Sequence, residues 1–316
     1  MSRYRICGLV VDSELALPEV PELDAGEAQC RVSVANGWAP AAPEAWLHEW
    51  RLPTGETWLS VGRVEDGYLL RFPALADFLV SSDGGGIAWM PAADIPNATV
   101  RHLLLDQVLP LVVSVRGGVV LHSSAVVGAE GALAFMGATG QGKSTLSASL
   151  ALEGLPLLTD DCLVVEESDG RLTAVPSYPG LRLWPHVIPS LFGDGPALAS
   201  VAHYTEKRRL DAEHGGLAFW AERVAVRHVF VLAPRAEADD DAEIRVAPLS
   251  PGEAFMALLT HAFRLDITDR RRLSDEFHRL GRAAQFPIYS RLDFPRDLAL
   301  LPSVTKAILK HLAEAV

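Results

Sequence analysis

Residues 137–144 read Gly-Ala-Thr-Gly-Gln-Gly-Lys-Ser and fit the pattern G-x-x-x-x-G-K-[ST]. They follow the apolar run 132–136 and open a segment with helical spacing, residues 143–152. A strand that pinches into glycines and releases into a helix leaves the first amide N–H groups of that helix unpaired and aimed at one point, where an anion satisfies them. The glycines let the backbone wrap closely, the lysine reaches terminal phosphate oxygens, and the hydroxyl after it serves Mg²⁺. Gly137, Ala138, Thr139, Gly140, Gln141, Gly142, Lys143, Ser144 and the following Thr145 are therefore the expected nucleotide-binding residues. Only three other lysines occur, Lys207, Lys306 and Lys310, so Lys143 is conspicuous.

The rest of the chain divides around this loop. Residues 1–96 alternate short apolar runs with Gly, Pro and Asp, as in "RICGLVV", "CRVSV" and "TWLSVGRVEDGYLLRFP", and predict a small, mostly β domain with a hairpin at Glu65-Asp66-Gly67. Asn97 is placed to cap a helix through residues 98–115, which Pro110 should kink or end. From residue 97 onward the pattern predicts one catalytic domain, 97–316, of α/β class with a parallel or mixed sheet and flanking helices. Its expected strands include "GVVLHSSAVVG", "LPLLTDDCLVVEE" as one buried strand, "VRHVFVLA" and "PIYSRLDF"; helices are expected over 250–263, 269–284 and from 301 onward. The acidic run 237–243 reads as a solvated turn.

A phosphate grip needs further groups before it can do chemistry, because phosphoryl transfer calls for a proton acceptor and a metal or charge clamp. Asp160 and Asp161 lie sixteen and seventeen residues beyond Ser144. Adjacent strand residues point to opposite faces, but at a strand end the chain can turn so that both carboxylates reach the phosphates. One would orient Mg²⁺ or its water shell and the other would accept a hydroxyl proton. Composition excludes other classes. A net charge of −12, from 28 basic and 40 acidic residues, and no basic stripe argue against a nucleic-acid partner. Cys7, Cys30 and Cys162 are too dispersed for a disulfide framework or a zinc site. With no run of 18 uncharged apolar residues and acidic residues near the start, no membrane partner is expected and the expected location is cytoplasmic.

"LHSSAVV", "GATGQGKST" and "EGLPLLTDDCLVVE", in that order and spacing, resemble the kinase domain of the HPr kinase/phosphorylase family over about residues 119–182. The resemblance implies a P-loop kinase domain using ATP and Mg²⁺ to phosphorylate a serine. It implies that Asp161 is the base, that Asp160 lies with Ser144 at the metal, and that His122 orients or tunes the carboxylate beside Lys143. Where the family carries a Glu-Ile-Arg-Gly-Leu-Gly segment, this chain places "SYPGLRLW", with Ser177 and Pro179 at the glutamate and arginine positions, so the family's metal-binding glutamate has no counterpart. The chain looks closer to divergent members of this size, some of which phosphorylate the C-terminal serine of a lasso-peptide precursor. A homo-oligomer is implied by the hexameric members. Arg182, Lys207 and Arg208, basic residues downstream of the aspartates, are candidates for gripping the migrating phosphoryl group or an acidic peptide. The expected activity is a serine or threonine kinase acting on a peptide or protein. The alternatives are a kinase of a small hydroxylated metabolite and a non-catalytic nucleotide sensor.

Overall fold

The computed structural model describes residues 1–314 apart from 36–41, 53, 194–197, 211–215 and 235–242. The acidic run expected as a turn lies outside the described residues except for Glu243. Packing separates two compact units: Met1–Val120 with Val201–Thr205 and Phe263–Glu276, and Leu121–Ser200 with Glu206–Ala262 and Phe277–Val316. The division expected after residue 96 differs from this one, because the helical segment 97–115 packs with the first unit and two later segments of the chain return to it.

The first unit is a single eight-stranded sheet of β1 (Ser2–Ile6), β2 (Leu9–Ser13), β3 (Cys30–Val34), β4 (Trp46–Arg51), β5 (Thr57–Val64), β6 (Gly67–Phe72), β7 (Ala76–Ser81) and β8 (Gly86–Pro91), in the order β1-β2-β3-β8-β7-β6-β5-β4. Two-residue periodicity buries Ala76, Phe78 and Val80 on one face of β7. Val64 pairs with Gly67, so Glu65 and Asp66 form the turn of the expected hairpin. The segment 263–276 is fixed to this sheet by buried Asp266, which accepts hydrogen bonds from the Tyr68 hydroxyl and the Arg63 guanidinium.

The helix of this unit departs from expectation at both named residues. Pro96, not Asn97, occupies the cap position of α1 (Asn97–Leu103), and no side chain caps it. Pro110 does not end the helix: a π-turn over Leu104–Val108 leads directly into α2 (Leu109–Val115), and this widened turn accommodates the proline ring and its missing N–H. Although Asn97–Val115 has the length and apolarity of a membrane span, 72% of its apolar 18-residue window is buried within the protein.

Past β9 (Val119–Leu121), which crosses from one unit to the other in sequence, the second unit contains β10 (Ser123–Gly128), β11 (Gly131–Met136), α3 (Lys143–Leu152), β12 (Leu157–Thr159), β13 (Leu163–Ser168) and β14 (Arg171–Val175). They are followed by β15 (Leu181–Leu183), α4 (Ile188–Phe192), β16 (Ala199–Ser200), β17 (Arg208–Leu210), β18 (Val224–Leu232), β19 (Arg245–Pro248), α5 (Pro251–His261), α6 (Arg270–Ala283), β20 (Tyr289–Asp293) and α7 (Leu301–Glu314). α6 begins in the first unit and ends in the second. The main sheet is mixed. β11, β18 and β20 run parallel, while β10, β12, β13 and β14 join them antiparallel to their neighbours. β15, β17 and β16 form a separate small sheet. Phe135 and Phe230 stack at 5.6 Å in the core beneath α3, whose Leu146 and Leu150 are fully buried, and Leu301, Val304 and Ile308 of α7 join the same cluster.

Two sequence runs expected as single strands are broken, and each break holds candidate site residues. "GVVLHSSAVVG" splits into β9 and β10 at His122, and "LPLLTDDCLVVEE" splits into β12 and β13 at Asp160-Asp161-Cys162. Asp161 adopts φ 64°, a left-handed conformation that an aspartate tolerates better than most residues but that ends strand pairing.

The glycine loop depends on the register of β11, and that register is set at its first residue. Gly131 closes the β10–β11 hairpin at φ 134°, and a Cβ there would stand 2.4 Å from the Ala225 carbonyl oxygen at the start of β18. Gly131→Ala is expected to lower unfolding stability by roughly 2–4 kcal/mol, the cost of a strained dihedral plus displaced neighbouring backbone. Denaturant unfolding measures it, and a loss under about 0.5 kcal/mol would contradict this assignment.

Candidate functional site: a phosphate loop with a buried carboxylate pair

The loop between β11 and α3 lies at the carboxyl end of parallel strands, the usual crevice of an open α/β sheet. Gly142 precedes α3 at φ 94°, which aims the first amides of the helix into the turn. Lys143, only 4% exposed, folds over the loop: its Nζ donates to the carbonyls of Gly137 (2.8 Å) and Ala138 (3.0 Å) and to His122 Nε2 (2.9 Å). The other ring nitrogen of His122 then carries the proton and donates to the Asp161 carbonyl at 3.0 Å. This tautomer is fixed by its partners, because an ammonium can only donate and a carbonyl can only accept. Burial pushes the imidazole below its ordinary value, so His122 is neutral at pH 7.

The break that separates β12 from β13 sends the two carboxylates to different environments. Asp160, with 1% of its side chain exposed, accepts Ser144 Oγ at 2.7 Å on one oxygen and the Arg182 amide at 3.0 Å on the other. Arg182, also buried, donates from Nη2 to the Asp160 carbonyl (2.8 Å) and stands 3.4 Å from Asp161 Oδ2. Asp161 keeps 18% of its side chain exposed, which makes it the member of the pair that a ligand can reach. Burial, followed by the charge of Asp161, pushes Asp160 up. Burial would raise Asp161 too, but the charges of Arg182, then Lys207, and Lys143 outweigh it and hold Asp161 well below the usual carboxylate range.

These groups open into a cavity of about 600 Å³. Its lining combines the loop, Asp161, Arg182 and Lys207 with apolar side chains such as Leu183, Val187, Leu298, Leu301 and Val304. The structure therefore brings together His122, the glycine loop, Lys143, Ser144, Asp160, Asp161, Arg182 and Lys207. It does not bring in Arg208, which is exposed on β17 and is not among the lining residues. Ser177, at the position of the resembled family's glutamate, is buried with its hydroxyl 3.5 Å from Cys162 Sγ. Arg182 is bound to the carboxylate pair and not extended toward solvent, so its side chain sets the charge of the site from within.

Among the described residues no three His, Cys, Asp or Glu side chains converge as a self-sufficient metal site. A magnesium ion at a phosphate loop needs no such set, since it takes one or two protein oxygens and fills its octahedron with phosphate oxygens and water. The Ser144 hydroxyl, which lines the cavity, fits that requirement, with the Asp160 carboxylate accepting its proton from behind.

Two residues at the site escaped the sequence reading. His261 ends α5; its carbonyl accepts the His122 amide at 2.7 Å, and its ring is pushed down to about 4 by burial and then by His122 and Lys143. Arg296 follows β20, donating to the Gln141 carbonyl at the loop tip (2.7 Å) and to the Ala233 carbonyl beyond β18 (2.6 Å). The signal for Arg296 was its place just past a parallel strand, where ligand-binding loops gather. No local pattern marked His261.

No protein-family model and no curated protein matches the chain. Among solved structures, the HPr(Ser) kinase/phosphatase from Coxiella burnetii is similar over 62% of this chain and 97% of its own, at 12% identity and a TM-score of 0.36. A likeness that slight carries no argument about chemistry.

Burial pushes Lys143 down to about 8. Phosphate binding favours the ammonium, so affinity should be steady near pH 7 and fall as pH rises through about 8. ATP is a suitable probe because its terminal phosphate, with a last pKa of about 6, has finished titrating by then. Calorimetry between pH 7 and 9.5 should show this fall in the wild type and its disappearance in Lys143→Ala. A wild-type affinity that is flat or rising over that range would contradict the assignment.

Proposed function

We propose that this protein is an ATP- and Mg²⁺-dependent kinase that transfers the γ-phosphoryl group to a serine or threonine hydroxyl of a peptide or protein. The observation that carries the reading is Asp161: a carboxylate held ionised at the mouth of a buried charge network, beside a complete phosphate loop. Mg²⁺, held when bound by Ser144 with Asp160 orienting that hydroxyl from behind, would draw charge from the β- and γ-phosphate oxygens.

The chain's own groups then have distinct tasks. The amides at the start of α3 and the Lys143 ammonium hold the phosphates. Asp161 accepts the hydrogen bond of the incoming hydroxyl and aims its oxygen at phosphorus. As the new oxygen–phosphorus bond forms and the bond to the leaving ADP oxygen breaks, the hydroxyl proton passes to Asp161. A carboxylate of such low basicity suits late proton transfer, after phosphorus has withdrawn electron density from the attacking oxygen. Phosphate binding also adjusts that basicity. Lys143 and Lys207 help to hold Asp161 down, and phosphates that engage their ammonium groups weaken that hold and raise the carboxylate toward its task.

The finer reading, that the acceptor is the C-terminal serine of a lasso-peptide precursor, rests on the sequence resemblance and names the first acceptor to try. A metabolite kinase would use the same groups with a smaller acceptor. The expected cellular setting is the cytoplasm, with the acceptor peptide as partner.

Asp161→Asn keeps the side chain's size and its tolerance of a left-handed backbone but removes the proton acceptor. ATP binding should remain within about threefold while phosphoryl transfer falls by roughly 10²–10⁴, the range general-base removal produces. Intact-mass analysis of peptide substrates reads the transfer. Wild-type-like transfer by the variant would remove Asp161 as base.

A further inference from the structure

The apolar part of the cavity lining has no task in gripping phosphate, and much of it comes from one stretch of chain. β20 lies beside β18, which lies beside β11, all three parallel, so the segment leaving β20 emerges at the same sheet end as the glycine loop. That segment, Phe294-Pro295-Arg296-Asp297-Leu298, lines the cavity and leads into α7, whose Leu301 and Val304 complete the wall.

Arg296 is held in an unusual way for a cation beside a phosphate loop. Its guanidinium lies 4.0 Å from the centroid of the buried Phe294 ring, and its two terminal nitrogens donate to backbone carbonyls on opposite sides, at Gln141 and Ala233. A group stacked and pinned at both ends does not follow a mobile phosphate as a free lysine would. It suits a flat, delocalised partner. The neighbouring leucines and valine offer such a partner an apolar enclosure, and the exposed Asp297 carboxylate, which accepts the Ala299 amide on Oδ1, adds a hydrogen-bond acceptor at the rim.

We propose that residues 294–304 form a nucleobase subsite, with the Phe294–Arg296 pair as stacking platform, and that it takes a purine. The phosphoryl donor is then chosen by its base as well as its phosphates, and inorganic pyrophosphate or tripolyphosphate engages only half of the site. This rests on the kinase reading for the presence of a nucleotide, but it concerns binding and is tested without turnover.

Calorimetry with ADP and with inorganic pyrophosphate, on the full chain with Mg²⁺, separates the two halves. Wild type should bind ADP more tightly than pyrophosphate by roughly tenfold or more, the scale of one stacked base. Leu298→Glu places a charge in the enclosure and should remove most of the ADP advantage while leaving pyrophosphate affinity within about twofold; Arg296→Lys, which keeps the charge but loses the plane, should lower ADP affinity more than pyrophosphate affinity. Circular dichroism confirms folding, and pyrophosphate binding serves as the internal control. Equal affinity for ADP and pyrophosphate in wild type, or variants that weaken both ligands alike, would overturn the subsite while leaving the phosphate grip intact. Failure of both ligands to bind wild type would overturn the kinase reading together with the subsite. UDP binding as tightly as ADP would overturn the assignment to a purine.

Discussion

The buried guanidinium of Arg182 against Asp160 and Asp161 is the contact on which the site's chemistry depends. Two adjacent carboxylates removed from water repel each other and would take up a proton unless a cation stands between them. Arg182 meets one through its own amide and guanidinium and the other through Nη2, while Lys207 adds a second charge at the cavity wall. A buried ion pair of this kind adds little to stability, because desolvation offsets most of the attraction, but losing one partner costs about 3–5 kcal/mol. What the network provides is a difference within the pair. Asp160 is sealed by Ser144 and Arg182, and Asp161 is left ionised at the opening.

Geometry delivers that difference through interruptions in regular structure. The sheet fixes β11, β18 and β20 in register, and the functional groups sit where strands break or end: His122 between β9 and β10, the aspartates between β12 and β13, the glycine loop after β11, and Arg296 after β20. A continuous strand would send Asp160 and Asp161 to opposite faces. The left-handed turn at Asp161 instead brings both within reach of one guanidinium. The Lys143–His122–Asp161 chain of hydrogen bonds couples the glycine loop to that turn, so the lysine's partners report on the backbone at Asp161.

Much of this was legible in the sequence. The glycine pattern specifies strand, loop and helix together because it works only in that arrangement, and α3 begins and ends where the pattern places it. The aspartates were legible as candidates through their spacing from Ser144, and His122 through the family resemblance. The strand breaks at those same residues were not, because apolar runs such as "LPLLTDDCLVVEE" give no sign of a kink that tertiary ion pairs impose. Pro110 misled for a related reason: a single widened turn absorbs the clash that propensity alone reads as a helix end. Arg182 was read as a ligand for phosphate or peptide because a basic residue on a strand gives no indication of whether it faces solvent or a buried acid. His261 and Arg296 reach the site from more than a hundred residues downstream of the glycine loop, a distance no local pattern spans.

The most direct test of this account is the titration of Asp161 itself, followed by carboxyl ¹³C NMR in the free protein with Asp161→Asn to assign the resonance. The account predicts an Asp161 that remains ionised well below the ordinary aspartate value of about 3.9, down to the pH at which the protein unfolds. A carboxylate that titrates at or above that value in the folded protein would contradict the charge network as what keeps Asp161 ionised.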